Sequence, residues 1–590
     1  MSPGWAGAPE KREGPVMGRA VRMAAGLRGA ALAAVGATVI ATVARLAGPL
    51  VVRAGIDDGI VTGDRSVITT TAVIFLALLA LQYVAQALAQ YGVAWLGERF
   101  LKLLRSRVFA HLMRLDMAFY GRSKTGVLVS RMTNDIESIQ EFAEEGAVTL
   151  VTNVLTIAGV AAAMLFVDAA VALQVFALIT LLIVISRVFQ RYAGRAYREV
   201  REQIGRVLAS LQEGITGVRV VQAFTREDEE AVRFGRVNER YFEANMRAAR
   251  AVAWYFPGVA FLRVAGYAVT LFFGGRRVIA GDLSFGSLVS LLMYLDWFFS
   301  PIINLSNTYN QMQSAAAALG KLFKLLDTKP GVDDTDDAPP LPERVEGRVG
   351  YDSVVFGYEE GVPVVADVDL MVAPGERVAI VGETGAGKST LARLALRFYD
   401  PWEGSVTLDG IDLRDVSTES RPEHVVLIPQ DGFLFNGSLR DNLRYARPDA
   451  TDDELWAVCA EIGIDRWVRD LPERLDTAVR ERGGRFSAGE RQLVALARAL
   501  LAAPDVIVLD EATANLDPET EARVERALST LLEGRTAIVI AHRLRSAERA
   551  DRVVMMDRGR VIAVGPHDEL ARESEEYARL VSVWERGVLR

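Results

Sequence analysis

The chain has 590 residues, 51% of them hydrophobic, a single cysteine, four histidines and a formal net charge of −8. The acidic balance argues against a general nucleic-acid binder, and one cysteine excludes an intramolecular disulfide. Scattered histidines leave no Cys/His metal cluster, while a positive mean hydropathy is high for a purely soluble protein of this length and points to a membrane part.

Residues 1–25, rich in Gly, Pro and charge at their start, read as a mobile tail. Six apolar segments follow, at roughly 28–52, 67–97, 146–167, 169–190, 251–275 and 284–312. Each approaches or exceeds the ~20 residues that a helix needs to cross the hydrocarbon core. The first is too long for a signal peptide and is expected to stay in place. Arginine-rich stretches separate the second segment from the third (Arg99, Arg105, Arg107, Arg114, Arg131) and the fourth from the fifth (Arg195, Arg198, Arg201, Arg206, Arg233, Arg240, Arg247). By the positive-inside rule these are cytoplasmic, which puts both termini inside and the short links 56–65, 168 and 274–282 outside. Helical periodicity persists through them, so the membrane helices are expected to continue into the cytosol. Breaks rich in Gly, Ser and Thr at 120–135 and 213–224 read as turns far from the membrane.

One pair of charges inside the apolar segments stands out: Arg263 in the fifth and Asp296 in the sixth, placed for similar depth in adjacent antiparallel helices. Pairing or exposure to an aqueous cavity is expected, as a structural ion pair or as part of a substrate cavity. Gln82, Gln86, Gln90, Asn153, Asn304, Asn307 and Asn310 are polar positions that either bridge helices or line such a cavity.

An acidic, Pro-rich linker at 327–343 leads to a second domain, 344–590, in which β-leaning runs alternate with helical ones. This pattern predicts a mostly parallel sheet wrapped by helices. Val381–Thr390 reads V-G-E-T-G-A-G-K-S-T and fits the phosphate-loop spacing. Gly382, Gly385 and Gly387 let backbone N–H groups curl round a phosphate, and the following helix adds its positive end. Lys388 is then expected on the outer phosphates, Ser389 on a magnesium ion and Thr390 beside them. Lys388 is the only lysine after Arg344 in a region full of arginine, as suits a slim point charge entering a phosphate cradle. Val506–Glu511 reads V-I-V-L-D-E: a buried strand whose Asp510 is placed to help hold magnesium and whose Glu511 is placed to polarise the attacking water.

In this order the motifs resemble those of an ATP-binding cassette exporter half-transporter: a six-helix all-α transmembrane domain, 26–326, followed by an α/β P-loop nucleotide-binding domain. Its most specific mark is Phe486–Gln492, F-S-A-G-E-R-Q, similar to the family signature. The resemblance implies that Gln430 contacts magnesium, that Asp517 belongs to the D-loop, that His542 senses the γ-phosphate and that Tyr358 stacks on adenine. It also implies that Ser487, Ala488, Gly489 and Glu490 face the ATP of a second half-transporter, and that coupling helices lie near Lys124–Arg131 and Glu213–Gly217. MgATP would then drive export of a hydrophobic or amphipathic drug, lipid or peptide across a bacterial cell membrane. An uptake system on the same fold and a cassette ATPase without transport are the alternatives. Ala488 and Glu490 depart from the family's Gly and Gln, which favours a heterodimer over a homodimer.

Overall fold

The computed structural model describes residues 16–332, 338–430, 432–480, 483–510, 518–541 and 543–588. They form two compact units, Met1–Ala110 with Gly126–Asp327, and His111–Thr125 with Thr328–Arg590.

The first unit is all helix. Its long members are Arg28–Ala54, Arg65–Leu112, Ala147–Val167, Ala169–Thr216, Glu227–Ile279 and Phe285–Leu326, the first to sixth membrane helices below. The second, fourth and fifth run for 48, 48 and 53 residues, so the arginine-rich stretches are continuous with the spans, as their periodicity predicts. Among the described residues, five helical segments are long and apolar enough to cross a membrane. The expected sixth span lies on Phe285–Leu326, 42 residues long but carrying Asp296 and three asparagines, and falls outside that set.

Local capping explains where these helices begin. The Asp168 carboxylate accepts from Val171 N at 2.9 Å and starts the fourth; the Ser284 hydroxyl accepts from Ser287 N at 3.1 Å and starts the sixth. Asp57, in the helical turn Gly55–Ile60 that follows the first, accepts from Gly286 N at 2.7 Å and from the Ser284 hydroxyl, tying the first and sixth helices together. A Cβ on Gly286 would lie 2.5 Å from Arg53 O, so only glycine permits the approach. Opposite it in function, Arg277 pairs with Asp168 at 3.2 Å.

Two expectations need correction here. Within the stretch read as a tail, Val16–Met23 is a helix; its Arg19 lies 4.5 Å over the Phe323 ring and bonds Asp327, which anchors it. The break expected at 120–135 is present at Ser123–Lys124, but another precedes it. The Asp116 carboxylate accepts from Phe119 N at 2.8 Å and restarts the chain as Met117–Arg122, so the interruption sits at Met113–Asp116, with a second at Ser123–Lys124.

The second unit carries ten strands among its described residues. β1 (Val349–Phe356), β2 (Val365–Val372), β4 (Glu403–Leu408) and β5 (Ile411–Asp412) form an antiparallel sheet in the order β2-β1-β4-β5. β3 (Arg377–Val381), β6 (Val425–Ile428), β7 (Val506–Asp510), β8 (Thr536–Ile540), β9 (Arg552–Asp557) and β10 (Arg560–Gly565) form the other, β10-β9-β3-β8-β7-β6. It is parallel except for β10, as the alternating pattern predicts. Val506 to Val508 are fully buried because helices cover both faces of such a sheet. Leu341, inside the expected linker, is buried with this core, so the last part of 327–343 packs against the domain. Residues 333–337 of that linker lie outside the described set.

Candidate functional site

Parallel strands bring their carboxyl ends to one edge, and the candidate site is built there. β3 delivers the loop Gly382–Gly387, which turns into the helix Lys388–Ala395. Gly382 and Gly387 have φ of 147° and 100°. A Cβ on Gly382 would stand 2.2 Å from Met556 O, so the turn is possible only for glycine. Buried Lys388 folds its ammonium back on the loop, donating to Gly382 O at 2.8 Å and Glu383 O at 2.9 Å. The loop thus holds a cation at its centre, ringed by backbone N–H groups and a helix start, a cradle suited to a polyphosphate.

Neighbouring strands supply hard oxygen donors. Asp510 ends β7 and pairs in register with Ile540 of β8, the strand beside β3. Gln430 follows β6 and is exposed, while Ser389 lies in the first turn of the loop helix. A hydroxyl, a carboxylate and an amide oxygen, with phosphate and water, suit magnesium, which rarely uses an all-protein cage. Glu511 follows Asp510 directly, and His542 follows the residue after β8. Both lie outside the described residues, as do Ala514–Asp517.

Tyr358 is placed at the same loop helix. Its hydroxyl is 3.1 Å from Thr390 Oγ1 and accepts from Arg393 Nη1 at 3.1 Å. Its ring meets Phe356 and Tyr399 edge-on, at 5.3 Å each. The Tyr358 carbonyl also accepts from Arg122 Nη2 at 3.2 Å, and Ala118 packs on the core of this unit. The contact from the first cytoplasmic break is therefore made by Met117–Arg122, ahead of the expected Lys124–Arg131.

The signature motif opens the helix Ala488–Ala502. Ser487 caps it: its Oγ accepts from Glu490 N at 3.2 Å, and the Glu490 carboxylate accepts from Ser487 N at 2.7 Å. This reciprocal box explains the residue pair locally, since a carboxylate at that position favours the positive end of the helix. Gly489 is buried and Ala488 is exposed.

In the helical unit, Arg263 Nη1 lies 3.4 Å from Asp296 Oδ1, with both side chains half exposed. Asn153 is buried and its Nδ2 has no partner among the described residues; Asn304, Asn307 and Asn310 are exposed. Sequence reading passed over Arg45, which sits 4.7 Å over the Trp297 ring. The available signal was an arginine in the middle of an apolar segment with no acidic residue.

Comparison with known proteins agrees with this geometry. The family model for the ABC transporter transmembrane region matches residues 32–302, and that for the ABC transporter matches 365–514. The chain is 36% identical to the multidrug efflux ATP-binding/permease protein of Mycobacterium tuberculosis over 92% of its own length and 45% of that protein's. It is 34% identical to the ATP-dependent lipid A-core flippase of Thiobacillus denitrificans, covering 90% of this chain and 92% of the flippase. A bacterial Atm1-family ABC exporter with ATP bound superposes with a TM-score of 0.78 at 28% identity, over 94% of this chain and 98% of that one. A phosphate cradle on a parallel sheet, preceded by a multi-pass helical unit, thus has its explanation: the chain belongs to the ABC transporters, as an ATPase that couples ATP hydrolysis to export across a membrane.

Proposed function

We propose that this chain is one half of an unequal pair that exports an amphipathic substrate, supplying the competent phosphate loop and an altered signature. The observation that carries this is the contrast between Lys388, Ser389, Asp510 and Glu511, all of the expected type, and a signature with Ala488 in place of glycine. Its methyl stands on the exposed first turn of the signature helix, where a partner's phosphate would approach. Glu490 weighs less, because its carboxylate turns back to Ser487 N.

In this reading residues 26–326 form the transmembrane domain and 344–590 the nucleotide-binding domain. Ser389, Gln430 and Asp510 hold Mg2+, which neutralises charge on the transferred phosphate. Gly382, Gly385, Gly387, Lys388 and Thr390 hold the phosphates, Tyr358 stacks on adenine, Glu511 polarises water, and His542 and Asp517 complete the site. The partner's signature closes over this ATP; Ser487 and Gly489 of this chain face the partner's. Names of relatives support the substrate class, one being a multidrug efflux protein and another a lipid A-core flippase.

The test is to purify the chain alone. A low basal rate that rises with a second half-transporter, and with Ala488→Gly in a homodimer, is the expected result. Brisk, substrate-stimulated ATPase of the unmodified chain alone refutes the unequal pair. Transport direction in inside-out vesicles separates export from uptake.

A further inference from the structure

A cavity of about 70 Å³ opens between the first, second and third membrane helices. Arg45, Gln82, Gln86, Gln90, Thr152 and Thr156 supply its polar wall. Arg45 lies twelve residues before Asp57 and seventeen after Arg28, hence about 18 Å and about 25 Å from the two ends at ~1.5 Å per residue. That is deep within a hydrocarbon core ~30 Å thick. The three lining helices contain no Asp or Glu over residues 28–56, 65–97 and 147–167.

The two intramembrane arginines are therefore treated differently. Arg263 has Asp296 at 3.4 Å, whereas Arg45 has no carboxylate within ion-pair distance among the described residues and rests only on the Trp297 face. A lone charge at this depth is costly unless paired or hydrated. The wall around it is also short of partners. Thr156 is 1% exposed and its hydroxyl has no hydrogen bond among the described residues. Thr38 and Thr42, by contrast, have spent their hydroxyls on Ala34 O and Thr38 O. Gln82, Gln86 and Gln90 follow one another at i, i+4 and i+8 on one helix face, with Gln86 and Gln90 exposed, so the cavity opens to the side of the bundle.

We infer that this cavity receives the anionic head of a single-chain amphiphile, with Arg45 as counter-ion, Thr156 and the glutamine amides as donors, and the tail left in the apolar surroundings. The cavity has room for several waters, enough for a small anionic head while the tail stays outside it. The guanidinium keeps such an acid ionised inside the membrane. The assignment rests on the exporter of amphipathic cargo proposed above and names its substrate class.

Binding of radiolabelled oleate to the full chain in phosphatidylcholine nanodiscs, without nucleotide, tests it. Oleate is expected to bind saturably and at least tenfold more tightly than oleyl alcohol or oleylamine. Arg45→Gln should weaken oleate at least tenfold, and Arg45→Lys about threefold or less. Equal competition by the alcohol or the amine, or unchanged oleate binding in Arg45→Gln, overturns the inference. Should Arg45→Gln not elute as a folded species, Thr156→Val takes its place, with several-fold weaker oleate binding expected and no change refuting the site. ATP hydrolysis in the same nanodiscs reports separately: hydrolysis without oleate binding sinks this inference alone, whereas brisk oleate-stimulated hydrolysis by the chain alone refutes the unequal pair and leaves this site standing.

Discussion

Tyr358 has two jobs that substitutions separate. Its hydroxyl bonds Thr390 and accepts from Arg393, both at 3.1 Å, while its ring is the surface proposed for adenine. Tyr358→Phe removes the first and keeps the second. A neutral hydrogen bond contributes ~0.5–1.5 kcal/mol and one from a charged donor ~1.5–3 kcal/mol, but exposed Arg393 regains water, so the net loss is about 1–2 kcal/mol. For a domain of this size that lowers Tm by about 2–8 °C. ATP affinity should stay within about twofold. Tyr358→Ala removes the stacking surface as well, which is worth ~1–3 kcal/mol per base, or about 5- to 150-fold in Kd. Scanning fluorimetry of the nucleotide-free chain and displacement of a fluorescent ATP analogue read the two effects. If Tyr358→Phe loses ATP as badly as Tyr358→Ala, the hydroxyl is the binding group; if Tyr358→Ala binds normally, the ring has no part in it.

Other consequences are as direct. Burial pushes the Cys459 thiol up to about 12, so native protein should resist maleimide at pH 8 and label only on unfolding. Because that pKa is raised on folding, the stability it contributes is complete below the unfolded value of ~8.5 and falls as pH rises from there towards 12, by up to ~1.4 kcal/mol per unit; a urea midpoint that rises over this range would contradict it. Gly382→Ala meets Met556 O at 2.2 Å, whereas Gly385→Ala, at φ 88°, faces open space. The first should abolish ATP binding and expression of folded protein, and the second should cost about 1–3 kcal/mol of backbone strain; equal thermal stability of the two variants would refute the steric account. Exchanging Arg263 and Asp296 should restore expression lost in either single change if the pair is structural, and transport assays of the exchange show whether their order matters to cargo.

Much of this was legible because the signals were periodic or exact. Helix extents followed from apolar segments flanked by arginine stripes that kept the same period, and the β3 loop followed from glycines whose spacing fits a phosphate cradle. Val506–Asp510 read as a buried strand because four apolar β-leaning residues precede its carboxylate. What stayed hidden depended on partners distant in sequence. Nothing near Val16–Met23 shows that Arg19 will meet Asp327, and nothing near residue 116 shows that Asp116 will restart the chain before the glycines do. Glu490 looked like a bare charge at a phosphate site, although Ser487 three residues earlier already spelled a helix cap. Arg45 was hidden by its own neighbours, since one charge among apolar residues barely alters a hydropathy window.

The grouping of His111–Thr125 with residues beyond 328 also sets a problem of timing. Arg122 needs the carbonyl of Tyr358, and the unit it joins is complete only once β10 has been made. At synthesis rates of ~5–20 residues per second the ribosome delivers that strand about 20 to 90 s after Thr125. For that interval Met117–Arg122 waits for a unit that is still being translated. Assembly of the two units therefore cannot be purely sequential, and this short segment is where a chaperone, or a wrong partner, has its longest opportunity.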